Sequence, residues 1–248
     1  MNFELWQWVF LLVAAAIAGF SKTGIPGSSI LFVAIFPNII PAKQATGVVL
    51  PLLIFADLFA FFIYRKNLQW RRVGQLLPWA LGGVVLGWLA LGVVNDTQTS
   101  RLIGAIIAVM LVVHVWRIRS GGAADEAAAH APKWLGPLMG AFAGFTTMVA
   151  NAAGPVMALY LLAMRLTKLE FIGTGAAFFL VINWLKVPFA AQLGLINAES
   201  LKLNLILLPA VAVGALLGRP VVERVNQKAF ENVVLGLTAL AVVKLLVF

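Results

Sequence analysis

The chain has 248 residues, of which 62% are hydrophobic and 11% are charged, and its mean hydropathy is +1.00. Soluble domains average about 25% charged residues, so this chain has too few polar residues to cover a water-facing surface. The net charge of +9 does not indicate nucleic-acid binding, because most basic residues lie in short loops between apolar runs. Cysteine is absent and histidine occurs only twice, which argues against a disulfide, a metal site or a cofactor site. The composition therefore predicts a polytopic protein of the lipid bilayer.

Ten apolar segments follow one another and predict an all-α membrane helical bundle. They cover residues 5–20, 27–37, 44–64, 75–94, 101–116, 135–149, 155–165, 171–191, 202–218 and 229–247. Segments two and seven hold only about 11 residues, or about 16 Å of helix, against a hydrocarbon core of about 30 Å. We expect segments one with two, and six with seven, to form broken, re-entrant helical hairpins that enter from opposite faces. Two thin crossings in each half would also fit these lengths.

The first hairpin is interrupted by the stretch GFSKTGIPG at residues 19–27. Proline suits the first position of a helix, so Pro26 predicts a restarted helix whose free N–H groups and partial positive charge favour an anion. Lys22 lies deep in an apolar run, where an ionisable residue indicates function; the alternative is a break at the interface, where Lys22 touches headgroups. The substrate-binding candidates of this break are Lys22, Thr23, Gly24, Gly27, Ser28 and Ser29.

The second hairpin is interrupted by the stretch GFTTMVANAAGP at residues 144–155. Asn151 can donate its amide N–H to an anion, and Gly154 lets the backbone approach a ligand closely. An ordinary helix cap is an equal alternative for Asn151. Thr147 stands where the first break has Lys22, so we expect one cationic and one neutral wall. Asn151, Gly154 and Thr147 are the substrate-binding candidates of this break.

Two long segments carry polar residues in their middle. Asp57 in segment three is either the counter-ion of a buried lysine or a proton carrier. In segment eight, Asn183 is the matching residue, and Lys186 lies one turn beyond it as a second cation candidate. Both are also substrate-binding candidates. For Lys186, snorkelling toward the outer interface is slightly favoured. Together Lys22, Lys186 and Asp57 would give an empty site a charge of +1, which again favours an anion.

The two halves of the chain match in order and in detail. Each half has an odd number of crossings under either hairpin interpretation, so the second half must be inverted, which is a transporter architecture. We predict a first repeat at 1–119, a cytoplasmic linker at 120–133 and a second, inverted repeat at 134–248. The matching residues are Gly19 with Gly144, Lys43 with Lys168, Asp57 with Asn183, Pro78 with Pro209, Gly83 with Gly214, and Gly87 with Gly218.

The basic residues of the loops predict the orientation. Twelve lie on one side and only Lys43, Arg101 and Lys202 on the other, which places the first side in the cytoplasm and both termini outside. The twelve are Arg65, Lys66, Arg71, Arg72, Arg117, Arg119, Lys133, Arg165, Lys168, Arg219, Arg224 and Lys228.

Several long stretches closely resemble the sulfite exporter TauE/SafE family, also called the toluene-sulfonate uptake permeases. They are GFSKTGIPGSSILF, TGVVLPLLIFADLFAFFIYRKNLQWRRV, LLPWALGGVVLG, NAAGPVMALYLLAM and GTGAAFFLVINWLKVPF, and the likeness covers nearly the whole chain apart from the linker. A GxGGG-type first break is common in that family, whereas this chain has Lys22 followed by Gly-Ile-Pro-Gly. The resemblance implies a bacterial inner-membrane permease for small sulfur-containing anions such as sulfite, organosulfonates, sulfoacetate or thiosulfate.

The expected mechanism is export by alternating access of the two inverted halves around the anion, with Asp57 as the candidate for proton coupling. An enzyme is disfavoured, because no nucleophile stands beside a base and no metal cluster lies at depth. An anion channel and a non-transporting membrane scaffold are the alternatives.

Overall fold

The structure, a computed structural model, describes residues 3–40, 42–90 and 134–247 together with Ala105, Ala108, Leu111 and Val112. These residues form α-helices joined by short turns, and no strand occurs among them. The all-α prediction is therefore confirmed. The helices are α1 (Leu5–Thr23), α2 (Ser29–Ile39), α3 (Ala42–Tyr64), α4 (Trp70–Ala90), α5 (Leu135–Ala150), α6 (Ala153–Ala163), α7 (Lys168–Gln192), α8 (Ala198–Arg224) and α9 (Gln227–Val247).

These helices follow the predicted apolar segments, with ends that differ by a few residues. The two short segments are short helices as well, since α2 and α6 have 11 residues each. The predicted fifth segment lies largely outside the described residues, and the predicted linker at 120–133 lies entirely outside them.

The prediction that Pro26 begins the restarted helix of the first break is wrong, and so is the predicted start of segment seven at residue 155. α2 begins at Ser29, because residues 25–28 form a turn in which the Ser28 amide and hydroxyl both donate to the carbonyl of Ile25, at 3.3 and 2.8 Å. The Ser28 amide is therefore engaged in this turn. α6 begins at Ala153, two residues before Pro155. A helix tolerates proline there, because the first N–H groups have no partner within the helix.

The start of α7 is held firmly, and this matters because α7 carries Asn183 and Lys186. Thr167 accepts a hydrogen bond from the Glu170 amide at its N-terminus, which completes a capping box. Lys168 donates through Nζ to the carbonyls of Val222 at 2.8 Å and Val225 at 2.5 Å. A cation on the last carbonyls of α8 stabilises that helix end and fixes the start of α7 against it.

Two helix pairs are packed closely enough to require glycine. Helix α1 contacts α8, where a Cβ atom on Gly19 would lie 2.0 Å from the carbonyl oxygen of Val211, and one on Gly214 would lie 1.8 Å from that of Ala16. Small residues at membrane helix interfaces allow backbones to approach in this way. The two glycines therefore set the distance between α1 and α8.

The other half of the chain repeats this arrangement. Helix α4 contacts α5, where a Cβ atom on Gly144 would lie 1.9 Å from the carbonyl oxygen of Ala80, and one on Gly83 would lie 2.0 Å from that of Ala141. Helices α3 and α7 contact each other. Helix α3 also contacts α8, and in the matching way α7 contacts α4. Each half therefore packs against the other through matching helices, while their inverted orientation stays a prediction.

Among the described residues, five helices are long and apolar enough to cross a membrane: α1, the part Gly47–Tyr64 of α3, α4, α7 and α8. Their outward faces carry large apolar side chains, such as Phe10, Leu86, Leu205 and Leu216, of which half or more of the surface is exposed. An exposed apolar surface of this extent is typical of contact with lipid. The chain is thus a multi-pass membrane protein.

Candidate functional site

The first break begins where α1 ends, and its last residues are tied to two other helices. The Tyr64 hydroxyl, at the end of α3, donates to the carbonyl of Thr23 at 2.6 Å. The Thr23 hydroxyl donates to the carbonyl of Ala215 in α8 at 2.6 Å. The bond from Tyr64 occupies a carbonyl that the C-terminus of α1 leaves unpaired, and the bond from Thr23 ties this end to α8. They also hold the neighbouring Lys22 in a fixed place.

Lys22 forms an ion pair with Asp57 of α3, with 2.8 Å between Nζ and Oδ1. The Lys22 side chain is 11% exposed, whereas that of Asp57 is fully buried. The same Nζ lies 3.9 Å from the centre of the Phe179 ring of α7, a cation–π contact. Asp57 is therefore the counter-ion of Lys22 in this structure, while its role in proton coupling stays a prediction.

Asp57 also joins the two halves of the chain. Its Oδ2 atom accepts a hydrogen bond from Nδ2 of Asn183 at 2.7 Å, and both side chains are buried. These are the residues that occupy matching positions in the two halves. The middle of α3 and the middle of α7 are thus joined by the hydrogen bond between the Asp57 carboxylate and the Asn183 amide.

The second break is made by a single left-handed residue at the end of α5. Asn151 has φ +50° and ψ +29°, and its amide donates to the carbonyl of Thr147 at 3.1 Å. Asparagine is one of the few residues besides glycine that adopt this conformation readily. Asn151 is therefore a helix C-cap through its backbone, while its side chain is left for another partner.

That partner is Lys186 of α7, and the favoured interpretation of Lys186 as a snorkelling residue is wrong. Lys186 is only 1% exposed, and its Nζ donates to Oδ1 of Asn151 at 2.6 Å and to the hydroxyl of Thr147 at 3.1 Å. Asn183 Oδ1 lies 3.5 Å away, one turn back on the same helix. The lysine points inward because three oxygen acceptors in the protein replace its hydration.

A cavity lies between the two breaks, and we call it the central cavity. It holds about 660 Å³, including the part that opens to the surroundings. The two breaks adjoin there, since a Cβ atom on Gly154 would lie 3.2 Å from the Ser29 hydroxyl. Its lining includes seven of the residues predicted from the sequence, namely Lys22, Gly27, Ser29, Thr147, Asn151, Gly154 and Asn183.

The remaining predicted site residues lie outside this lining. The Thr23 and Ser28 hydroxyls donate to backbone carbonyls, and a Cβ atom on Gly24 would lie 3.0 Å from Cα of Gly218. Asp57 and Lys186 lie behind the lining and touch residues that form it. Contact of any of these residues with a substrate stays a prediction.

Sequence reasoning missed Phe179, which lines the cavity beside Lys22. Its position four residues before Asn183 places it on the same face of α7, and this spacing was a usable signal. Ser21 also lines the cavity, although its hydroxyl donates to the carbonyl of Ala18 at 2.8 Å. Such a bond to the preceding turn is common for serine in helices, so the sequence alone does not mark Ser21 as a residue of the cavity.

The site offers positive charge and hydrogen-bond donors. With Lys22, Lys186 and Asp57 ionised, the group carries a charge of +1. Among the described residues, no cluster of three or more histidine or acidic side chains could hold a metal ion. An arrangement of this kind can bind an anion through charge-assisted hydrogen bonds.

Comparison with known proteins agrees with this chemistry. The sequence model of the family described as "Sulfite exporter TauE/SafE" matches residues 11–245, which is nearly the whole chain. No curated protein and no solved structure matches the chain. The family is one of membrane transporters for sulfur-containing anions, and not of enzymes. The chain therefore belongs to the sulfite exporter TauE/SafE family.

Proposed function

We propose that this protein is a permease that exports a small sulfur-containing oxyanion, and that the anion binds in the central cavity. The observation that carries the proposal is Lys22, a cation at 11% exposure that lines the cavity where the two breaks adjoin. Placing an ammonium in a membrane protein is costly even when it is paired, so its presence beside a cavity favours a function. An oxyanion such as sulfite, an organosulfonate, sulfoacetate or thiosulfate would offer it three oxygen atoms as partners.

The N-termini of the short helices α2 and α6 also favour an anion in the central cavity. Ser29 begins α2 and Gly154 lies in the first turn of α6, and both line the cavity. The first N–H groups of a helix are unpaired and carry partial positive charge, which favours an anion at this end. We propose that Lys22, Gly27 and Ser29 form one wall of the anion site, and that Thr147, Asn151, Gly154 and Asn183 form the other.

The movement we propose is alternating access, in which the two halves rock around the bound anion. The repeated contact pattern, α1 with α8 and α5 with α4, supports a first repeat at 1–119 and a second, inverted repeat at 134–248. The distribution of basic loop residues supports an inner-membrane protein with a cytoplasmic linker at 120–133 and both termini outside.

Proton coupling is a separate part of this proposal and is assigned to Asp57. The carboxylate is fully buried and neutralises Lys22, so its protonation would free the lysine for an anion of higher charge. If Asp57 carries the coupled proton, Asp57→Asn abolishes the response of flux to a pH gradient. An equal response in wild type and variant contradicts the coupling and leaves the anion site intact.

The proposal is tested by calorimetric binding to the purified protein. The probes are sulfite, thiosulfate, sulfoacetate and methanesulfonate, with acetate as a carboxylate comparator. We expect saturable binding of at least one sulfur anion and its loss in Lys22→Met, while Lys66→Met, an exposed lysine in the loop after α3, retains it. Binding that survives Lys22→Met contradicts the site.

Transport by the protein in proteoliposomes separates the alternatives. A carrier gives flux that saturates with anion concentration, whereas a channel gives a non-saturating anion current. Absence of both flux and binding supports a non-transporting scaffold.

A further inference from the structure

Lys186 is a buried lysine that touches no carboxylate of the described residues. Within the described ranges, 3–40, 42–90 and 134–247, the ion pair next to it is that of Lys22 with Asp57, and Lys186 is joined to Asp57 only through Asn183. Removing an ammonium from water costs several kcal/mol, even in real proteins that relax around it. A basic residue at this depth is by default a hypothesis of function.

The three protons of Lys186 are accounted for within the protein. An ammonium has three donors and no acceptor, and Nζ has three oxygen atoms around it: Asn151 Oδ1 at 2.6 Å, Thr147 Oγ1 at 3.1 Å and Asn183 Oδ1 at 3.5 Å. Lys186 is also absent from the lining of the central cavity. Its two shorter hydrogen bonds are therefore directed at Asn151 and Thr147 and not into the cavity.

The bond to Lys186 determines which way the Asn151 amide faces. A side-chain amide has a carbonyl oxygen on one side and an N–H₂ group on the other. Because the oxygen accepts from Lys186 behind the lining, the N–H₂ group is the part of Asn151 that remains for the cavity. Thr147 is in the same position, since its oxygen accepts from Lys186 and its hydroxyl proton remains to be donated.

We propose that Lys186 is a positioning residue that orients Asn151 and Thr147 so that the second wall of the cavity presents hydrogen-bond donors. This inference rests on the proposed function, because it assigns the specificity of the same site. A wall of donors favours an oxyanion that carries acceptors only. It disfavours a ligand that turns an N–H or O–H group toward this wall, since two donors then face each other without a partner.

Position 151 allows a test with little backbone strain. Glycine and aspartate both tolerate the left-handed conformation of Asn151, so Asn151→Gly and Asn151→Asp retain the break. Asn151→Gly removes the donor, and we expect a loss of affinity of about tenfold or more, since a hydrogen bond to a charged group is involved. Asn151→Asp keeps an acceptor for Lys186 and turns an oxygen toward the anion, so its loss is larger than that of Asn151→Gly.

A double-mutant cycle separates positioning from charge. If Lys186 orients the amide, Asn151→Gly lowers the anion affinity at least tenfold in the wild-type background. In the Lys186→Met background, where the amide is no longer held, it lowers the affinity less than about threefold. If Lys186 supplies only positive charge, Asn151→Gly costs the same in both backgrounds, and the inference is wrong. A merely structural role for residue 151 predicts that aspartate, the closer replacement in size, binds at least as well as glycine, and this outcome overturns it too.

The probe is whichever of sulfite, thiosulfate, sulfoacetate and methanesulfonate binds the wild type most tightly. Methanesulfonamide, an uncharged analogue with an N–H₂ donor, is the specificity comparator. We expect its affinity relative to methanesulfonate to rise in Asn151→Asp, and an unchanged ratio counts against the donor wall. If the wild type binds none of the anions, the proposed function itself fails; if it binds and the cycle is additive, only the positioning role fails.

Discussion

The two breaks stand at matching places in the halves, yet they obtain their positive charge differently. The first break carries its own cation, Lys22, which a carboxylate of α3 holds at 2.8 Å. The second break has Thr147 at the matching place and receives a cation from α7, where Lys186 reaches both Thr147 and Asn151. The lysine that lines the cavity, Lys22, is thus placed to bind the anion. The lysine behind the lining, Lys186, is placed to orient the groups that form the site.

The largest effect should come from breaking the first arrangement. Lys22→Met leaves Asp57 charged and fully buried, so we expect a loss of about 3–5 kcal/mol in the free energy of unfolding, together with loss of anion binding. Chemical unfolding in detergent measures the first and calorimetry the second.

The double variant Lys22→Met with Asp57→Asn is the control for this prediction. It removes both charges, so stability should return while anion binding stays lost. Stability that does not return would show that Lys22 acts by more than neutralising Asp57.

A second prediction compares the helix pairs that carry the two breaks. Gly19→Ala and Gly144→Ala each place a Cβ atom about as close as 2 Å to a carbonyl oxygen, and we expect each to cost about 1–3 kcal/mol, because backbones must separate. Thermal unfolding measures both.

Gly82→Ala is the matched control, because nothing lies within 4 Å of the added atom. We expect its unfolding midpoint to equal or slightly exceed that of the wild type, because alanine at an open helix position is more favourable than glycine. Unequal costs at Gly19 and Gly144 would count against equivalent packing of the two halves.

The third prediction sharpens the difference in charge. Asp57→Asn raises the charge of the group from +1 to +2 and releases Lys22 from its carboxylate. We expect the anion to bind about tenfold more tightly, equivalent to about 1.4 kcal/mol, with the gain reduced by salt far less than for exposed charges.

Calorimetry at two ionic strengths measures this change. Weaker binding in Asp57→Asn would mean that the carboxylate orients Lys22 toward the anion, which is the opposite role.

The smallest effect is expected from Thr147, at the second break. Thr147→Val removes one acceptor of Lys186 and one donor of the cavity wall, and we expect anion affinity to fall about threefold, in the range of a single hydrogen bond. Thr146→Val is the control, because the Thr146 hydroxyl donates to the carbonyl of Phe142 and the residue does not line the cavity. Equal changes of anion affinity in the two variants would mean that Thr147 does not contact the anion.

The helical segments and both breaks were predictable because hydrophobic length, glycine and proline act locally. The starts of the helices after the breaks were not predicted, since the bonds from Ser28 to Ile25 compete with the preference of proline for a first turn. Lys186 was misjudged for a different reason. Whether a lysine in a membrane helix points to the interface or inward depends on acceptors from other helices, and the oxygens of Asn151 and Thr147 are 35 and 39 residues away in sequence.

The contact between Asp57 and Asn183 has a consequence for how two similar halves can share one centre. Where a residue meets its own counterpart, two identical carboxylates would face each other and repel, and one would have to hold a proton. Two asparagines could bond but would leave Lys22 without a counter-charge. One acid beside one amide supplies a donor, an acceptor and a single negative charge, so at this contact the two matched positions must hold different residues.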